Sequence, residues 1–224
     1  MKLVLFDCDG TLVDSHHNIT RAMRDAFEAM GQPYPGDAET RKVIGLSLPQ
    51  AMEPLAPEAG PERHKALSAA YREAFFALRS RPDFHEPLFP GAREAIETLH
   101  GRAGVVLGVV TGKARRGLDM LLERFGLRAY FATLQTADDA PSKPHPGMVL
   151  RAMEETGAQA ARTVVIGDTT HDMLMAKNAG AHGLGVEWGY HAPQTLLESG
   201  AEAIARDFKE APGLVDKLIP AGES

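Results

Sequence analysis

The chain opens with an apolar run, Leu3 to Phe6, that stops at Asp7-Cys8-Asp9-Gly10-Thr11. No polar residue alternates within the run, so it predicts a strand covered on both faces, as in a parallel sheet. Two carboxylates stand two residues apart where that strand ends. Side chains alternate along a strand, so Asp7 and Asp9 are placed to share a direction. Two acids held close together repel each other and are costly to desolvate. They are either turn-formers, or residues that do chemistry with a cation between them.

The rest of the chain sets the architecture. Further strands are predicted at Val105 to Val110, Tyr130 to Leu134, Thr163 to Ile166 and His182 to Val186, with a short edge strand at Ala203 to Ala205. Helical patterns lie between them, at Gly91 to Leu99, Ala114 to Arg124, Pro146 to Glu155 and His171 to Ala179. Such alternation predicts an α/β fold with a parallel sheet covered on both faces. Gly126, Gly157 and Gly180 follow helices, where a left-handed residue ends them. From Ser15 to Glu86 the alternation stops. Only helical stretches occur there, notably Ile19 to Met30 and Pro61 to Leu78, cut short by Pro33, Pro35, Pro49, Pro54 and Pro57. This segment reads as a helical insertion after the first strand, where long insertions act as lids. The expected organisation is a Rossmann-like core of residues 1–14 and 88–224 with an α-helical cap domain of residues 15–87.

Composition removes several function classes. The 224 residues carry a net charge of -6 and no basic stripe, which argues against nucleic acid or an anionic membrane as partner. Cys8 is the single cysteine, so neither an intrachain disulfide nor a thiolate zinc site is expected. It should point into the core. Only four apolar residues separate Met1-Lys2 from Asp7, and no apolar stretch approaches the roughly 20 residues of a membrane helix. A cytoplasmic protein is expected.

Ligands of an open parallel sheet bind at the carboxyl ends of its strands, so each predicted end bears on function. The second strand leads into Thr111-Gly112, a hydroxyl and a backbone N–H suited to a phosphate oxygen or, equally, to capping a helix. After the third comes Ser142-Lys143-Pro144, in which proline restrains a lysine able to neutralise phosphate charge. The fourth gives Gly167-Asp168-Thr169-Thr170-His171-Asp172. Asp168 and Asp172 can face one side of a helix start, as metal-binding carboxylates or as acids favoured by the helix dipole. Carboxylates with water and phosphate oxygen suit Mg²⁺. His171 is expected at a helix surface.

This ordered set resembles the haloacid dehalogenase-like hydrolase superfamily in its phosphatase branch. The matches are Asp7 to Ser15, Thr111-Gly112, Lys143-Pro144 and Gly167 to Asp172. Asp-Gly-Thr-Leu-Val-Asp-Ser and the Thr-Gly-Lys turn are most similar to phosphoglycolate phosphatase-type enzymes. The resemblance implies that Asp7 is the nucleophile, forming an aspartyl-phosphate, and that Asp9 is the general acid and base. It implies that Gly10, Thr11, Thr111, Gly112 and Lys143 hold the phosphoryl group. Mg²⁺ would be bound by Asp7, the Asp9 carbonyl and Asp168, with Asp172 steadying ligand waters. Dehalogenating relatives lack an acid at the position of Asp9, so its presence favours phosphoryl transfer.

The resemblance also places a specificity loop around Arg41, Gly45 and Ser47, and leaves Lys113 to meet a substrate carboxylate. β-Phosphoglucomutase-like relatives place an arginine soon after the glycine, whereas Leu46, Ser47, Leu48 and Pro49 follow here. The expected activity is hydrolysis of a small phosphorylated metabolite, 2-phosphoglycolate first, by a monomer or homodimer. A sugar phosphomutase, an inorganic pyrophosphatase of the same fold and a non-catalytic phospho-receiver are the alternatives.

Overall fold

The opening apolar run forms β1 (Lys2–Phe6), near the centre of a six-stranded sheet in a computed structural model that describes residues 1–220. The other strands are β2 (Val105–Val110), β3 (Phe131–Gln135), β4 (Thr163–Gly167), β5 (His182–Val186) and β6 (Ala203–Ala205). All pairings are parallel, in the order β3-β2-β1-β4-β5-β6. The chain steps outward through β2 and β3, then crosses back to β4 on the other side of β1. That reversal creates a crevice at the carboxyl ends of β1 and β4, where α/β sheets bind ligands.

The continuous apolarity of β1 now has its reason. Val4 and Phe6 face one layer with Ile96 and Leu99 of α5 (Ala92–His100) and Leu118 and Leu122 of α6 (Arg115–Arg124). Leu3 and Leu5 face the opposite layer, with Val149 and Ala152 of α7 (Gly147–Thr156) and Met175 and Ala176 of α8 (Thr170–Asn178). Alternation sends successive residues into two different cores, so neither parity can be polar. Cys8 joins the first of these cores and is fully buried.

Between β1 and α5 the chain builds a cap from α1 (His16–Ala29), α2 (Asp37–Lys42), α3 (Leu48–Leu55) and α4 (Pro61–Arg79). On α1, Ile19, Met23, Ala26 and Phe27 recur at helical spacing and are buried. Met23 and Phe27 join Val43, Met52, Leu55 and Leu67 in a cluster separate from both sheet layers. The two connections to the core run side by side. Asp14 N–H donates to the Pro87 carbonyl and Phe89 N–H to that of Leu12, each at 2.9 Å.

Two helices lack a sequence signal, α9 (Pro193–Glu198) and α10 (Ala211–Leu218). Gly213 opposes a helix by propensity, while Pro212 is tolerated in the first turn. Ala211, Pro212 and Val215 are buried, and Ala211 and Val215 sit in the sheet's first core. Tertiary burial overrides propensity there. Among the described residues no helix is long and apolar enough to cross a membrane.

Leu5 is fully buried at the sheet centre and Leu150 on α7 is 46% exposed. In urea denaturation, Leu5→Ala should cost about 2–5 kcal/mol and Leu150→Ala no more than about 0.5 kcal/mol.

Candidate active site

Four strand ends deliver the predicted residues to one place. Asp7 extends the β1–β4 pairing, its N–H donating to the Ile166 carbonyl at 2.9 Å. Asp168 follows β4, and Asp172 lies in the first turn of α8. One carboxylate oxygen from each of Asp7, Asp168 and Asp172 falls within 4.8 Å of the others, and all three residues are buried. Lys143, on the segment after β3, is fully buried among them. Its Nζ stands 2.6 Å from Asp7 Oδ1 and 2.6 Å from Asp172 Oδ1. These are close ion pairs without hydrogen-bond alignment.

Local chemistry fixes each acid. Asp172 Oδ2 accepts from Thr169 N–H at 3.0 Å and Thr169 Oγ1 accepts from Asp172 N–H at 3.3 Å, a capping box that starts α8. The Thr169 hydroxyl also donates to Asp172 Oδ2 at 2.6 Å. The helix-start reading of Asp172 and its place in the acidic cluster therefore hold together, one oxygen serving each. Asp168 Oδ1 accepts from Thr11 Oγ1 at 2.8 Å, and its Oδ2 from Tyr190 N–H at 3.0 Å. Gly10, at φ +87°, leaves room for this carboxylate, since a Cβ there would lie 2.3 Å from Asp168 Oδ2. Gly189 does the same from the loop after β5, where a Cβ would lie 2.0 Å from that of Asp168. In that loop Trp188 Nε1 donates to the Thr11 carbonyl at 3.0 Å. Sequence reasoning missed Trp188-Gly189-Tyr190; a glycine between two aromatics just past a strand was its only signal.

Burial dominates the electrostatics. It lifts Asp7 to about 7, with Asp172 and Asp9 adding to the rise and Lys143 opposing it. Asp168 stands well above the usual carboxylate range through burial first, then the charges of Asp7 and Asp172. Burial alone would lower Lys143, but Asp172 and Asp7 outweigh it and keep the ammonium protonated. Asp7 Oδ2 is buried without a hydrogen-bond partner. An all-oxygen, carboxylate-rich set with a free buried oxygen fits a hard divalent cation.

The two acids of the first motif part company. Asp9 turns to the cap side, where its Oδ1 accepts from Ser15 Oγ at 2.6 Å and lies 3.0 Å from Lys113 Nζ. Lys113 is also 3.8 Å from Glu86 Oε1, and Glu86 Oε2 is 3.8 Å from Arg79. Glu86 is almost fully buried, and burial raises its carboxyl. Neither Glu86 nor Arg79 carries a sequence pattern that singles it out.

Thr111 is buried, and its Oγ1 accepts from Lys113 N–H at 3.2 Å. The hydroxyl caps a loop, because α6 begins only at Arg115. Gly112 marks the closest approach of cap and core: a Cβ there would sit 2.4 Å from the Gly45 carbonyl oxygen. Ser47 N–H donates to Ser142 Oγ at 2.8 Å. Gly45 and Ser47 thus lie at the cap–core junction, while Arg41 is exposed on α2. His171, expected at a helix surface, is half-buried with Nε2 3.3 Å from the Lys42 carbonyl, and burial lowers its pKa.

A buried acid cluster at the switch point of a parallel sheet, with a helical cap beside it, is the arrangement expected of the hydrolase family that the sequence resembles. Residues 4–186 match the haloacid dehalogenase-like hydrolase family, and the chain belongs to it. It is 38% identical to the probable phosphatase IndB of Dickeya dadantii, over 99% of this chain and 96% of that one. It is 30% identical to a phosphoglycolate phosphatase of Vibrio parahaemolyticus, over 94% of each. A hydrolase from Pseudomonas syringae superposes with a TM-score of 0.85 at 27% identity, over 97% of this chain and 99% of that one.

Lys143→Met should lower stability by about 3–5 kcal/mol, since removing one partner strands buried charge. Guanidinium denaturation in chelator measures it, and added Mg²⁺ should restore part of the loss in the variant.

Proposed function

We propose that the chain is a Mg²⁺-dependent phosphomonoesterase working through an aspartyl-phosphate, with residues 15–87 as its cap. The observation that carries this reading is the division of labour at the first motif. Asp7 is buried against Lys143 and the other acids, and Asp9 is held apart by Ser15 and Lys113. On this reading the first carboxylate attacks phosphorus and the second transfers the proton.

In the first step Asp7 forms a bond to phosphorus as the bond to the ester oxygen breaks. Asp9 delivers a proton to the leaving alkoxide. In the second step Asp9 takes a proton from water, which attacks the acyl phosphate and frees Asp7 and inorganic phosphate. Covalent catalysis divides one difficult displacement into two easier ones. Lys143, the Thr111 hydroxyl and the Gly112 N–H hold the phosphoryl oxygens. Gly10 and Thr11 shape the turn beside them, the Gly10 N–H donating to the Val13 carbonyl and the Thr11 hydroxyl to Asp168. Asp7, Asp168 and the Asp9 carbonyl would hold Mg²⁺, with Asp172 beside them. When bound, the ion shields the two anions from each other and neutralises charge developing on the phosphoryl group.

The names of the relatives make 2-phosphoglycolate the first ester to assay. The cap loop after Gly45 offers Leu46, Ser47, Leu48 and Pro49, with no cation for a second phosphate, which favours hydrolysis over a sugar phosphomutase reaction.

Asp7→Asn should reduce phosphate release by about 10⁴-fold or more; undiminished turnover would end the nucleophile assignment. Asp9→Asn should cost about 10²–10⁴-fold on an alkyl phosphate. With p-nitrophenyl phosphate the first step should be much less affected, because that leaving group departs without a proton, while hydrolysis of the aspartyl-phosphate slows for both esters. Rapid-mix kinetics should therefore show a burst of p-nitrophenol ahead of slow turnover in this variant and no burst of alcohol from the alkyl ester, and chelation of Mg²⁺ should abolish both reactions.

A further inference from the structure

A cavity of about 420 Å³ lies between cap and core and reaches the site, with Asp9, Gly112 and Lys113 in its wall. That volume is in the range of about 300–1,000 Å³ typical of pockets for drug-sized ligands, far more than the two-carbon body of glycolate fills. Its wall is chiefly apolar. Val43 and Leu48 contribute from the cap loop and α3, Tyr71 and Phe75 from α4. Phe76 and Met120, also in the wall, are 56% and 42% exposed. Large apolar side chains left open to water around a concave surface mark a binding site.

The charges in the same wall do not suit a substrate carboxylate. Lys113 is balanced by Asp9 and Glu86, and Arg79 faces Glu86 with its guanidinium 5.3 Å from the Phe75 ring centre. Arg116 stacks on Phe76 at 5.7 Å. Arg72 and Glu73 add one charge of each sign and are exposed. Lys113, the cation beside Asp9, is already paired. The two guanidiniums with no acidic partner among the described residues, Arg72 and Arg116, are exposed to water. A carboxylate next to the ester oxygen therefore meets no free charge, whereas a ring would meet Tyr71, Phe75 and Phe76.

We infer that the cavity takes the leaving group, and that the preferred substrate is the phosphate monoester of an alcohol carrying an apolar or aromatic ring. This rests on the phosphatase reading and adds the substrate class. The ring occupies the space between α4 and the cap loop, and the ester oxygen reaches Asp9.

The test keeps the leaving-group chemistry constant and varies only the body. With Mg²⁺, kcat/KM is measured for 3-phenylpropyl phosphate, propyl phosphate and 2-phosphoglycolate, all esters of primary alcohols, with p-nitrophenyl phosphate as the activated reference. Binding of 3-phenylpropylphosphonate and propylphosphonate is measured by calorimetry. The phenyl ester should exceed both others by about ten-fold or more, as burial of one ring supplies, and its phosphonate should bind tighter by a similar factor. Phe76→Ser and Met120→Gln, both at exposed positions, should each shrink the phenyl-to-propyl ratio at least about three-fold. Equal rates across the series, a preference for 2-phosphoglycolate, or variants that leave the ratio unchanged would overturn the inference while the phosphatase reading stands. No phosphate from any ester, p-nitrophenyl phosphate included, would overturn both.

Discussion

The ammonium of Lys143, fully buried at 2.6 Å from both Asp7 and Asp172, is the contact on which the rest of the site depends. Burying an ion costs several kcal/mol unless it is paired. Here three buried carboxylates face one lysine, so the cluster is short of positive charge. The rise of Asp7 to about 7 and that of Asp168 well above the usual carboxylate range express that deficit as proton affinity. Two further positive charges would balance the set, which is the charge of one divalent cation. The excess of acid is thus a structural cost whose relief is the binding of a cation, and function follows from it.

Backbone shape makes the cluster possible. Asp168 is enclosed by Gly10 on one side and Gly189 on the other, at distances no Cβ tolerates. Its two oxygens receive Thr11 and the Tyr190 N–H, from loops far apart in sequence. Asp172 is fixed by the same capping box that starts α8, so helix nucleation and site assembly are one event. The acids hold still because the elements carrying them end there.

Much of this was legible in the sequence, for a physical reason. A strand buried on both faces must be continuously apolar, so Lys2–Phe6, Val105–Val110 and His182–Val186 announce themselves within a residue or so. The polar residues that follow each run then fall at the carboxyl edge of the sheet, because parallel strands all end on one side. Contacts made by isolated residues left no such trace. Glu86 gains its partners Lys113 and Arg79 only when the cap folds back onto the core, and Trp188 finds Thr11 only after β5 is in place. Helix α10 was hidden because it is short and Gly213 opposes it locally, while burial of Ala211 and Val215 decides the matter.

The separation of Asp7 from Asp9 also organises the molecule at large. Asp7 belongs to the sheet and its charges, Asp9 to the wall shared with the cap. Ser15 opens α1 yet spends its hydroxyl on Asp9 and not on the helix N-terminus, which has no side-chain cap. Seating of the first cap helix is thereby coupled to the orientation of the Asp9 carboxylate. Glu86, at the other end of the cap, reaches the same group through Lys113. Both cap connections therefore converge on one carboxylate. A cap displaced from the core would withdraw Ser15 from Asp9 and Glu86 from Lys113 while leaving Asp7, Asp168 and Asp172 in place, because those three are held by the sheet, α8 and the core loops that carry Thr11, Lys143 and Tyr190. On the proposed mechanism, cap closure governs proton transfer, and the sheet governs attack on phosphorus.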